Sequence, residues 1–324
     1  MTGDVLLLGA LLAAGSALSG QAPRPTITPR PRPSAETAEN ERIAPNLRID
    51  TNLVLIPVTV TTQLNQFVTG MEKENFRLFE DKAEQEIGYF ASFDAPLSVG
   101  LVFDASGSMG SKLQKSRQAA AEFFKAANPE DEFFLVQFHD RPKLVVPFTQ
   151  NTEEIQSRLT FTQAKGRTAL LDGIYLALQA LKKARNPRRA LLIISDGGDN
   201  SSRYTESEVR NLLREADAQM YAIGIFEPVG ARGRSAEELS GPGLLSDLTG
   251  MTGGRHFPVE NLNDLPDIAA KIGIELRNQY VLGYISKNPT RDGKYRRVTV
   301  KLKQPRGMPP LRALHRQGYY APSQ

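Results

Sequence analysis

Residues 97–103 read LSVGLVF and run straight into Asp104-Ala105-Ser106-Gly107-Ser108-Met109-Gly110. A short apolar run closed abruptly by small and polar residues predicts a strand buried on both faces, then a tight loop at its carboxyl end. The pattern returns at residues 190–195, ALLIIS, which end in Ser195-Asp196-Gly197-Gly198-Asp199-Asn200. Between these runs, residues 112–127 put Leu113, Ala120, Phe123 and Phe124 on one stripe at helical spacing, and residues 168–185 do the same with Leu171, Ile174, Tyr175 and Leu178. Further strands are predicted at 132–138, 143–148, 220–226 and 256–259. Further helices are predicted at 153–159, 206–218, 244–249 and 262–279. Alternating strand and helix predicts an α/β fold: a mostly parallel sheet with helices on both faces and right-handed crossovers.

Outside this region the reading changes to β. Before it, residues 47–60 form a long Leu/Ile/Val/Thr run, and 67–68, 76–80 and 86–93 read as short strands, with a helical turn at 73–75. After it, 280–285, 296–302 and 314–320 are strand-like with no helix between them. The inference is one β-sandwich built from both flanks, with the α/β domain inserted, because chain termini tend to lie close together. The expected boundaries are an N-terminal β segment at 47–95, the α/β domain at 96–275 and a C-terminal β segment at 276–324. The first hairpin, Gln63-Leu64-Asn65-Gln66, lacks the Asp-Gly type of turn that would fix its register.

The chain has 324 residues, 40% hydrophobic and 23% charged, a globular composition that excludes wholesale disorder. It contains no cysteine, which excludes disulfide scaffolds, thiolate metal sites and cysteine nucleophiles. The formal charge is +4 with the basic residues scattered, which argues against nucleic-acid binding. An apolar run from Val5 to Leu18, ~14 residues, is too short to span a bilayer and suits the core of a signal peptide, expected at 1–22. Its n-region holds Asp4 and no Lys or Arg. Residues 23–46 follow as a Pro/Arg-rich and polar linker, extended because each Pro fixes its own backbone and restricts its neighbour. The mature chain is therefore expected to be exported (periplasmic, secreted or cell-surface), without a transmembrane segment.

The chemistry is concentrated at the carboxyl ends of the predicted parallel strands, where open α/β sheets bind ligands. Asp104, Ser106, Ser108 and Asp196 fall there, and Thr168, in Gly166-Arg167-Thr168-Ala169-Leu170, lies in a loop that can reach them. Two carboxylates and three hydroxyls are oxygen donors, suited to a hard cation such as Mg²⁺, with Mn²⁺ or Ca²⁺ as alternatives. A cation held largely by hydroxyls keeps much of its charge, and an outside carboxylate is its natural further ligand.

DASGSMG after a buried strand, then GRTAL, then ISDGGDN resembles the von Willebrand factor type A domain and its metal-ion-dependent adhesion site. That resemblance implies Ser106, Ser108 and Thr168 as ligand hydroxyls and Asp104 and Asp196 as supporting carboxylates. The flanking FRLFED (76–81), YVLGY (280–284) and GKYRRV (293–298) resemble a bacterial secreted family related to these domains.

Competing chemistries fail on their residues. An EF-hand loop from Asp104 would need Glu at its twelfth position, which is Lys115. No G-x-S-x-G surrounds Ser106 or Ser108, and no P-loop occurs. No enzyme activity is expected. Lys182, Lys183, Arg185, Arg188 and Arg189 read as a solvated helix end, His139 as a loop residue, Asp199 as a turn residue with a second-ion role as the alternative, and Tyr280 and Tyr284 as core. The expected function is metal-dependent capture of a protein through its Asp or Glu carboxylate. The alternative is a structural scaffold of an envelope or secreted assembly that uses the β flanks.

Overall fold

The computed structural model describes residues 53–92, 94–226, 236–304 and 307–323. The expected leader, the linker and residues 47–52 of the first expected strand lie outside these. The first four strands are β1 (Leu53–Thr62), β2 (Phe76–Glu80), β3 (Ala83–Gln85) and β4 (Tyr89–Ala91). The α/β region follows as β5 (Leu97–Asp104), α1 (Leu113–Phe124), β6 (Glu132–Phe138), β7 (Lys143–Thr149), α2 (Thr152–Thr160), α3 (Leu170–Leu181) and β8 (Arg188–Ser195). It continues through α4 (Glu206–Glu215), β9 (Gln219–Ile225), α5 (Ala236–Thr252), β10 (His256–Val259) and α6 (Leu265–Arg277). Last come β11 (Tyr280–Ile285), β12 (Tyr295–Leu302), β13 (Leu311–His315) and β14 (Gly318–Tyr320).

All of β5 is buried, as its unbroken apolar run requires. It lies inside a six-stranded sheet of order β10-β9-β8-β5-β6-β7. Leu101 has Leu135 of β6 beside it on one side and Leu192 of β8 on the other. All neighbouring strands are parallel except β7, which turns back antiparallel along β6 through bulged register shifts. Helices α1, α2 and α6 cover one face, where Leu113, Phe123, Ile155 and Ile272 pack on Leu101 and Phe103. Helices α3, α4 and α5 cover the other, where Ile174, Val209 and Leu245 pack on Val102 and Ile193. The chain runs from β5 to β6 on one side and later returns to β8 on the other, so the strand order reverses at β5, the kind of switch point outside which open α/β sheets bind ligands.

The flanking strands build two four-stranded sheets, β13-β1-β11-β4 and β14-β12-β2-β3. β1 pairs antiparallel with β11 and β13, and β2 with β12, so each sheet is built from both N- and C-terminal strands. Ile56, Val58, Phe76, Leu78, Tyr280, Tyr284 and Val298 from both sheets share one core. Glu80 is buried in it, accepting hydrogen bonds from Tyr284 Oη (2.8 Å), Tyr319 Oη (2.8 Å), Ser286 Oγ (2.5 Å) and Arg296 (3.3 Å).

Four local expectations are corrected. Where one strand was expected at 86–93 the chain forms two, the unexpected β3 before that range and the shorter β4 inside it, which belong to different sheets; Phe93 lies outside the described residues. Asp81 and Lys82 both take positive φ (45° and 75°) and turn the chain between β2 and β3, a tight turn made without glycine. The strand expected at 314–320 is likewise two, β13 on β1 and β14 on β12, with the chain changing sheets at Arg316-Gln317. Residues 67–68 contribute one bridge, Thr61 with Phe67. The hairpin before it closes through Asn65 at φ 59° and a Thr62 N–H to Gln66 carbonyl bond of 2.9 Å. Asn tolerates this left-handed conformation, so no glycine was needed. The helix expected at 244–249 extends over Ala236–Thr252 with Pro242 inside it.

Candidate metal centre

Asp104 ends β5 and Ser195 ends β8. Phe103 is registered with Ile194, so the two strand ends lie side by side. Asp104 is fully buried. Its Oδ1 accepts the Ser106 N–H at 2.8 Å and its Oδ2 accepts the Ser195 hydroxyl at 2.6 Å. After Ala105 the chain makes a one-turn 3-10 helix, Gly107–Met109, which brings Ser108 Oγ to 3.1 Å from Ser106 Oγ. Ser106 is buried and Ser108 exposed, so this pair of hydroxyls runs from the interior to solvent.

Asp196 is buried one residue beyond β8. Burial and, after it, repulsion from the Asp196 carboxylate push the Asp104 carboxyl up to about 7. Two buried like charges within electrostatic reach call for a cation. Asp196 has one: Lys112 Nζ donates to its Oδ2 at 3.1 Å, with both side chains buried.

Thr168 reaches this edge through its backbone. Its N–H donates to Asn200 Oδ1 at 2.9 Å and its carbonyl accepts the Asn200 N–H at 3.0 Å, which ties it to the loop after β8. The same segment is sewn to the loop after β5 by Lys165 N–H to Ala105 carbonyl (2.9 Å) and Gly107 N–H to Gly166 carbonyl (3.0 Å). Gly166 has φ +75°, and a Cβ there would come within 2.3 Å of Asp140 Oδ2, so only glycine fits. The five residues singled out in the sequence thus sit at the end of β5 (Asp104) and on loops that converge on the carboxyl edge of β5 and β8.

Among the described residues no three Asp, Glu, His or Cys side chains gather around one point. A cation here would be held by two carboxylates and by hydroxyls, an all-oxygen donor set with one solvent-facing member. That chemistry fits Mg²⁺, which takes oxygen ligands and keeps waters.

Sequence reasoning missed Lys112. The available signal was its place at the N-terminal end of α1, where a cation opposes the helix dipole and needs an anion to hold it. Asp199, left between turn residue and second ion site, accepts the Leu171 N–H at 2.8 Å and the Ser202 hydroxyl at 2.6 Å, and so caps the start of α3. The basic cluster divides. Lys182, Lys183 and Arg185 are exposed, whereas Arg188 is buried and donates to the Ala95 and Leu276 carbonyls and to Gln279 Oε1. His139 lies in the loop after β6, its Nδ1 accepting the Asp140 N–H at 2.8 Å.

Residues 99–198 match the family model of the von Willebrand factor type A domain. The chain carries a type A domain. Inter-alpha-trypsin inhibitor heavy chain H4 of Homo sapiens is 28% identical over 158 residues, 43% of this chain and 17% of that protein. The chain therefore spans about a sixth of the length of the heavy chains it matches (16% and 17% for the bovine and human proteins). An uncharacterised protein of Borreliella burgdorferi is 27% identical over 188 residues, 52% of this chain and 55% of that one. Among solved structures, a von Willebrand factor type A protein from Catenulispora acidiphila aligns over 86% of this chain and 76% of its own, with 12% identity and a TM-score of 0.49.

Proposed function

We propose that the chain is an exported, non-enzymatic binding module whose type A domain captures a protein partner through a divalent cation. Ser106, Ser108 and Thr168 would hold the cation by their hydroxyls, with Asp104 and Asp196 as supporting carboxylates, and Mg²⁺ as the metal in preference to Mn²⁺ or Ca²⁺. A bound divalent cation supplies a positive, partly open coordination site, which an Asp or Glu carboxylate of the partner completes. The observation that carries this reading is the all-oxygen donor set with its two buried carboxylates at the sheet's switch point. Export is read from the apolar run at residues 5–18 and the Pro-rich stretch after it.

The test is thermal. A ligand that binds the folded state alone raises its stability, by about 2.7 kcal/mol at a hundred times Kd. The EDTA-stripped chain should melt higher as Mg²⁺ is added, and Asp104→Asn should blunt that response. If neither protein responds over millimolar Mg²⁺, Mn²⁺ and Ca²⁺, metal-dependent capture is lost and the scaffold reading, built on the flanking sheets, takes its place.

A further inference from the structure

Lysine is among the residues least often buried, and when buried it is paired. Lys112 is 6% exposed, placed at the N-terminal end of α1 and directed at Asp196 rather than at water. Its backbone is fixed as well: its N–H donates to the Met109 carbonyl at 2.9 Å, and its carbonyl accepts both the N–H and the hydroxyl of Ser116 at 3.0 Å. The backbone that carries the ammonium is therefore tied to the loop of Ser106 and Ser108, and the ammonium itself is a buried partner of Asp196 and not a surface charge that happens to fall near it.

Its sign matters for the chemistry proposed above, on which this inference rests. Asp104 and Asp196 together balance a divalent cation. Lys112 then leaves one positive charge over, which an incoming carboxylate cancels. Without Lys112 the loaded site would be neutral, and a carboxylate would bring an uncompensated negative charge into a largely buried place.

We infer that Lys112 is the specificity-setting residue of the site: its charge weakens the hold on a divalent cation in the free chain and reserves a single positive charge for one partner carboxylate. A neutral donor such as an amide gains nothing from that charge. The residue also holds Asp196 while no cation is bound, so the loop keeps its shape in both states.

The experiment is a calorimetric titration of the full, EDTA-stripped chain with Mg²⁺, comparing wild type, Lys112→Gln and Lys112→Arg. Gln can still donate a hydrogen bond toward Asp196 but carries no charge, so it separates charge from folding; Arg keeps the charge. Mg²⁺ should bind Lys112→Gln about 10-fold or more tightly than wild type, since a neighbouring unit charge at a few ångströms is worth at least that much. Lys112→Arg should stay near wild type. A merely structural lysine would leave Mg²⁺ affinity unchanged or lower it on substitution, and that result overturns the inference while leaving the metal reading intact. Binding by Lys112→Gln with none by wild type supports it in its strongest form. No binding by any of the three proteins overturns the inference together with the metal reading.

Discussion

Ser195 Oγ donates to Asp104 Oδ2 at 2.6 Å, joining the last residues of two adjacent parallel strands. The same oxygen accepts the Gly197 N–H at 3.0 Å, so one hydroxyl orients the buried carboxylate and starts the loop that carries Asp196. Partners of this kind behind a metal ligand are typically worth 10–100-fold in metal affinity. Ser195→Ala should therefore keep the fold and weaken Mg²⁺ binding by about that factor. An unchanged titration would mean that Asp104 is held by its bond to Ser106 alone.

Asp199 caps the helix that begins just after Thr168. Loss of a side-chain cap costs about 1 kcal/mol. Asp199→Ala should lower the melting temperature accordingly, equally in EDTA and in Ca²⁺. A loss seen in Ca²⁺ but absent in EDTA would instead make Asp199 a ligand of a second ion.

Gly100 lies in the middle of β5 with the Phe134 ring across it; an added Cβ would come within 2.2 Å of Phe134 Cζ and 2.7 Å of Leu191 Cδ2. Neither neighbour can retreat, since both are buried in the same core cluster. Gly100→Ala should destabilise the type A domain by ~1–3 kcal/mol through overpacking. Denaturant unfolding measures this directly, and a neutral result would show a core with more slack than the packing implies.

Burial raises the Glu80 carboxyl, but hydrogen bonds from Ser286, Tyr319 and Tyr284 and the charge of Arg296 outweigh it and leave Glu80 below its ordinary value of 4.5. With the folded value the lower one, the unfolded chain takes up the proton first. The stabilisation is whole above pH 4.5 and is lost as the pH falls through the folded value. Glu80→Gln should be less stable than wild type at neutral pH, and the gap in melting temperature should narrow as the pH is taken down from neutral to below 4.5. A gap that stays constant across that range would show that the carboxylate's charge contributes nothing to the sandwich.

Much of this was legible in the chain of residues. The apolar runs at LSVGLVF and ALLIIS declared two buried strands, because a strand covered on both faces has no polar positions to spare. The residues after each run declared loops that meet at one edge, because parallel strands deliver their following loops to one end of the sheet. Helical spacing on α1 and α3 was equally plain, since those positions repeat along one element and need no knowledge of its neighbours.

What the sequence left open depended on partners far along the chain. Nothing local distinguishes one strand from two where the chain changes sheets at Arg316-Gln317, because the local pattern is satisfied either way and the choice of neighbour is made by β1 and β12. Asp199 became a cap because Leu171 N–H, 28 positions earlier, lies within reach. Lys112 meets Asp196 across 84 positions. The periodicity of a strand or helix is a property of the chain, but which charge neutralises which is a property of distance, and distance between elements is fixed only when the sheet closes over its core.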